Sequence, residues 1–191
     1  MAKKKKKKDA YFSAYGFLSL AEPDASVTDA IADYAAMDEV TFAHAFVGGS
    51  FDGFVVVKSD VFEVIQSFIL GPARRPGELI DWAILVAAAV IIRAPHKKFV
   101  AMEGEPHHES LTRISTEPRK AEAVLAAIDA LYAKKIAADF GARAAIVTGP
   151  KVDILVELAS PSIEALQGSI LDDLTKIPGI TASDSSFAFV E

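Results

Sequence analysis

The chain has 191 residues, a net charge of −6 and no cysteine, which excludes disulfides, thiolate metal sites and cysteine nucleophiles. Six lysines form one block, Lys3 to Lys8, so the remainder carries about −12. That acidity argues against nucleic-acid binding by the folded part, because phosphate contacts need a basic face.

Residues 1–10 read as a disordered lysine-rich tail, since adjacent like charges repel and bury nothing. The tail is either a polyanion contact or a solubilising segment. The basic block followed by Ala10 to Leu20 resembles a signal peptide, but Asp9 interrupts it and Tyr11, Ser13, Tyr15 and Ser19 weaken its apolar part. Tyr11 to Leu20 reads better as a strand. Ser26 caps a helix to about Met37, with Val27, Ile31 and Tyr34 inward at helical spacing. Val40 to Val47 is a strand carrying Phe42, His44 and Phe46 on one face. Gly48-Gly49-Ser50 turns into a strand over Phe54 to Lys58. Asp60 to Leu70 is a helix, Gly71 to Gly77 a loop, and Trp82 to Arg93 a strand. Residues 96–110 form a linker rich in proline, histidine and charge, in which Phe99 to Met102 adds a short strand. His96, His107, His108 and the neighbouring glutamates read as solvated linker rather than a metal site, because the i,i+4 helical spacing is absent.

The second half repeats this order. Leu111 to Ser115 is a strand, Pro118 to Asp139 a helix, Ala144 to Thr148 a strand, and Val152 to Leu158 another. Pro161 opens a helix to about Leu174, and Ser186 to Val190 closes as a strand. The repetition is visible in the letters. Asp52-Gly53-Phe54-Val55-Val56-Val57 lies over Asp153-Ile154-Leu155-Val156-Glu157-Leu158, and Pro76-Gly77 over Pro178-Gly179. A period of about one hundred residues is the length of a small domain.

The fold class expected is therefore α+β: two tandem ferredoxin-like βαββαβ units, spanning 11–95 and 111–191. Strands such as Phe54-Val55-Val56-Val57 are apolar on consecutive positions, so both faces must be covered. The 51% hydrophobic composition supports such a shared interface. Packing the two sheets face to face, as a pseudo-dimeric α/β barrel, is the economical solution.

In this order the residues resemble the ligand-binding (RAM) domain of the Lrp/AsnC regulators. The match rests on Ala145-Ile146-Val147-Thr148-Gly149, Val152 to Glu157 and Leu174-Thr175-Lys176-Ile177-Pro178-Gly179-Ile180, and on Gly49-Ser50-Phe51-Asp52 in the first half. The helix-turn-helix of those regulators has no counterpart here, so direct sequence-specific DNA binding is not expected. The resemblance implies a non-enzymatic regulatory and oligomerisation module that binds a small effector, such as an amino acid, between subunits. Carried over residue by residue, it points to Gly49, Asp52, Gly149 and Asp153 as ligand contacts. Glycine bares a backbone N–H and aspartate accepts from an ammonium. The turn itself gives these residues a structural reading as well. His44, between Phe42 and Phe46, is either a pocket residue or a packed core histidine.

No catalytic residue, metal or cofactor is expected, since no nucleophile elbow or phosphate loop occurs. A homo-oligomer is expected, with a cytoplasmic location. No apolar run reaches the roughly 18 residues that span a bilayer. Two rival readings remain: a structural shell or scaffold protein, and a dimeric α/β-barrel oxygenase-like enzyme, haem-dependent or cofactor-free. A haem would need an inward histidine, and His44 is the strand candidate.

Overall fold

A computed structural model describes residues 12–20, 26–46, 49–71, 78–85, 106–135, 140–149 and 151–190. The lysine tail, the expected strand at Phe99 to Met102, the continuation of the fourth strand to Arg93 and most of the linker lie outside these residues.

The elements run β1 (Phe12–Leu20), α1 (Val27–Ala35), β2 (Val40–Ala45), β3 (Gly53–Ser59), α2 (Phe62–Leu70), β4 (Glu78–Leu85), β5 (His107–Thr116), α3 (Ala121–Lys135), β6 (Gly141–Gly149), β7 (Val152–Ser160), α4 (Ile163–Gly168) and β8 (Ile180–Val190). A π-helical turn (Ser169–Asp173) and a 3-10 turn (Leu174–Lys176) follow α4. Capping explains two of the starts. The Ser26 hydroxyl accepts from the Asp29 N–H at 3.2 Å, and that of Ser162 from the Ala165 N–H at 3.2 Å. β5 and β8 start earlier than the sequence suggests. His107 to Ser110, read as linker, are paired strand residues, because β7 and β8 flank them on both sides.

The strands form one antiparallel sheet in the order β2-β3-β1-β4-β6-β7-β5-β8. The expectation of two separate sheets is thereby corrected. β4 is laced to β6 through Ile84↔Thr148 and Leu85↔Val147. Gly149 permits this approach: a Cβ there would lie 2.7 Å from the Ala83 Cβ and 2.8 Å from its Cα. Gly149→Ala should therefore cost about 1–3 kcal/mol in urea denaturation. Gly168→Ala, on helix α4 with nothing nearer than 3.9 Å, should instead be neutral or mildly stabilising.

Consecutive apolar residues do bury both faces. Ala14, Leu18, Val55 and Val57 pack under α1 and α2 with Ile31, Tyr34, Ile65 and Phe68. Ile114, Ile154, Val156 and Leu158 pack under α3 and α4. The opposite faces of both halves meet in a third cluster, which joins Tyr15, Phe17, Phe54 and Val56 to Leu111, Val147, Val152, Leu155 and Ala188. Val56 and Leu155 are 6% and 2% exposed. The sheet thus curls so that its inner faces close on each other, as in a dimeric α/β barrel.

Candidate active site

Four antiparallel steps separate β1 from β5, so the two strands run in the same direction. Side chains alternate along each strand, and register assigns the inward ones to levels. At one level, β1, β3 and β2 contribute Tyr15, Val56 and Phe42. Across the interior, β5, β7 and β6 contribute Leu111, Glu157 and Arg143. The next level toward the strand ends adds Ser13 and Lys58 on one side and Glu109 on the other. The halves have diverged in chemistry. The second half carries Glu157 where the first has Val56, and Arg143 where the first has Phe42.

Arg143 and Glu157 form an ion pair inside this end of the barrel. Their side chains keep 41% and 21% of their surface, so a small molecule can reach them. The surroundings are nonetheless crowded with protein. Burial pushes the Glu157 carboxyl above its ordinary value of 4.5, and the nearby Glu109 charge adds to this, against the pull of Arg143. Tyr15 stands opposite at 7% exposure. Burial and the Glu157 charge raise its phenol above 10.0, so it keeps its proton at neutral pH. Tyr15 couples electrostatically to both Glu157 and Arg143, so its phenol belongs to the same end of the barrel as the pair. His107, buried in β5, has its Nε2 3.1 Å from Glu109 Oε1.

The five residues singled out from sequence lie elsewhere. Asp52 Oδ2 accepts from the Leu20 N–H at 3.0 Å, and Asp153 Oδ2 accepts from the Thr116 N–H at 2.7 Å and its hydroxyl at 3.1 Å. Each aspartate clamps the end of the first strand of its half. Gly49, at φ +83°, seats the β2–β3 turn on β8, where a Cβ would meet the Ser185 carbonyl oxygen at 2.7 Å. Gly149 does the same on β4. The glycines are therefore seam residues. His44 stacks on Phe42 at 5.7 Å and meets Phe46 edge-on at 5.8 Å.

The seam at Gly49 is also pinned by charge. Arg113 donates to Asp184 Oδ2 at 2.6 Å and to Ser50 Oγ at 2.5 Å, and the Ser50 N–H donates to Asp184 Oδ1 at 3.2 Å. The guanidinium lies over Phe51 and Phe17 at 4.6 and 4.9 Å. Although burial opposes it, the Ser50 and Arg113 hydrogen bonds hold the Asp184 carboxyl below 3.8. A depressed carboxyl contributes stability above its unfolded value and loses it as pH falls through the folded one. Acid titration below the ordinary aspartate value should therefore weaken this seam, and Asp184→Asn should flatten that part of the stability–pH curve.

A haem would need an inward axial ligand with open space beside it. His44 is packed between two rings, and Phe17, Phe51, Phe54, Leu111 and Leu155 fill the interior. The described residues do not fit that group. Groups of three or more potential metal ligands are also absent among them. No helix among them is long and apolar enough to cross a membrane.

Neither a protein-family model nor a curated protein matches the chain. Solved structures match it along almost its whole length. An anthrone oxidase-like protein shares 11% identity at a TM-score of 0.62, over 96% of this chain and 93% of that one. A mutant chlorite dismutase from Candidatus Nitrospira defluvii shares 10% at 0.55, over 95% and 91%. A second mutant of that enzyme shares 9% at 0.53, over 97% and 93%. Likeness at this identity establishes the fold. It also corrects the Lrp/AsnC resemblance, and with it the expectation of a non-enzymatic regulatory module, since the chains that share this fold end to end carry enzyme names. The physical reason lies in the motifs themselves. Gly49 and Gly149 seat turns and Asp52 and Asp153 clamp strands, so the matched letters have a structural role that two different families can share.

Proposed function

We propose that the chain is an enzyme of the dimeric α/β-barrel oxygenase-like kind, built from two tandem ferredoxin-like units. Its reaction begins with proton removal from a small, weakly acidic organic substrate. The observation that carries this is the partly exposed Arg143–Glu157 pair, its carboxyl raised by burial and faced by Tyr15, at the end of a barrel whose interior is filled by aromatic and aliphatic side chains. Glu157 is the base, with a proton affinity raised toward the working range. Tyr15 and Arg143 are the electrophilic groups. When Glu157 takes the proton, Arg143 loses its counter-charge and is released toward the oxygen on which negative charge collects, where the Tyr15 O–H also donates. A ketone with an acidic C–H, or a phenol, has this pattern. Its carbanion or phenolate holds the electron pair that dioxygen would accept. The name of one structural neighbour, anthrone oxidase-like, belongs to this class of substrate.

An oxygen electrode tests the reading with anthrone and related phenolic ketones. Wild-type protein should consume oxygen above the non-enzymatic rate. Glu157→Gln should remove nearly all of the excess, and Tyr15→Phe should cut it, both in protein that stays folded with its melting temperature moved by no more than about 2–4 °C. If no compound in the set raises oxygen uptake above the blank, the reading fails.

A further inference from the structure

The inward face of β5 carries a second carboxylate that the reading above does not use. Leu111 lies directly opposite Glu157 in the β5–β7 register. Glu109, two residues along β5, is therefore the diagonal neighbour of Glu157 on the same face. Such positions lie roughly 7–8 Å apart, within reach of two glutamate side chains and a bridging water. On the other flank, Arg143 lies directly opposite Glu157 across the β6–β7 register. His107 sits one inward step beyond Glu109 and holds its Oε1 at 3.1 Å. The row across β6, β7 and β5 therefore sets two adjacent carboxylates between two basic groups: Arg143, Glu157, Glu109, His107. Tyr15 and Lys58 face the row from β1 and β3, and both couple to Glu157.

The corresponding place in the first half shows that the fold does not require this row. Asp52 and Asp153 clamp Leu20 and Thr116 in the same way, which makes Ser13 the counterpart of Glu109. Serine fills that place without any charge. Two carboxylates so close within a crowded barrel end have no packing reason to coexist, and their mutual repulsion costs stability. His107 buries almost completely to hold one of them, at 5% exposure.

We infer that Glu109, positioned by His107, shares a proton with Glu157 and sets the acidity of that base. This rests on the reading of Glu157 as the base. Glu109 is a positioning residue: it touches the Glu157 environment and not the substrate. The proton that Glu157 accepts passes to the Glu109 carboxylate, directly or through one water, and from its half-exposed edge to bulk water. Glu157 is thereby returned to the carboxylate form, and no other reactant is consumed.

Carboxyl carbon-13 NMR of selectively labelled protein tests this without turnover. In the wild type, the Glu157 signal should titrate in two steps, as a carboxyl coupled to a neighbouring charge does. In Glu109→Gln, Glu157 should titrate in one step, with its midpoint lowered by about one pH unit. Glu109→Ser, which installs the residue of the matched place in the first half, should do the same, which keeps the test alive if the first variant does not fold. His107→Gln should move the Glu157 midpoint in the wild-type background but not in Glu109→Gln. If Glu157 titrates identically with and without Glu109, the sharing is overturned. That outcome leaves the proposed base intact, because only the loss of oxygen uptake in Glu157→Gln bears on it.

Discussion

Phe54→Ala should lower the unfolding free energy by about 3–5 kcal/mol, a large share of the roughly 5–15 kcal/mol that holds a domain together. Phe54 is 3% exposed and faces the barrel interior. Its ring stacks on Tyr15 at 5.8 Å, tilts against Phe17 at 5.5 Å, and meets Phe46 and Phe42 at 6.2 and 6.3 Å. Truncation removes the central ring of that group and leaves a void that rigid strands on both sides cannot collapse. Because Leu155 and Leu111 belong to the same interior cluster, the loss loosens both halves together. Equilibrium denaturation should show a single cooperative transition moved to lower denaturant. A variant destabilised by under 1 kcal/mol would mean that the inner faces do not pack as described. Tyr15 should also lose its fixed orientation, so any oxygen uptake should fall further than stability alone accounts for.

This residue also shows what can be read from letters. Phe54-Val55-Val56-Val57 is apolar on every position, which requires two covered faces, and the structure divides the run between the helix layer and the interior. The βαββαβ order was legible in the same way, through alternation, helical spacing and turn residues. The lacing of β4 to β6 was not. It depends on how closely two strands approach, and a glycine in a turn looks the same whether it serves a hairpin, a ligand or a neighbouring strand. The candidate site was hidden for a different reason. His107 and Glu109 occur in a polar stretch, and polarity alone reads as linker; only the pairing partners, far along the chain, turn that stretch into a strand with an inward face. One signal was present. The repeat aligns Glu157 with Val56, so a charge replaces an apolar residue at a matched, covered position. A charge that replaces valine inside a duplicated core marks a departure from packing needs.

Glu157→Gln should reduce the proposed oxygen-consuming activity by a factor of about 10²–10⁴, the range typical of removing a positioned general base. The amide keeps the size of the side chain and one hydrogen-bond acceptor for Arg143, whose own side chain is 41% exposed and can rehydrate. Stability at neutral pH should therefore change by no more than about 1 kcal/mol, as for partly exposed ion pairs. The pH dependence separates base from bystander. Burial raises the Glu157 carboxyl above 4.5, so the carboxylate form, and with it the activity, should grow as pH rises through that elevated value. Stability runs the other way. A carboxyl raised by folding contributes its stabilisation below its unfolded value and loses it as pH rises through the folded one. Wild-type protein should therefore gain activity while losing a little stability over the same interval, and Glu157→Gln should show neither change. An activity profile in Glu157→Gln that matches the wild type in height and shape would remove Glu157 from the chemistry.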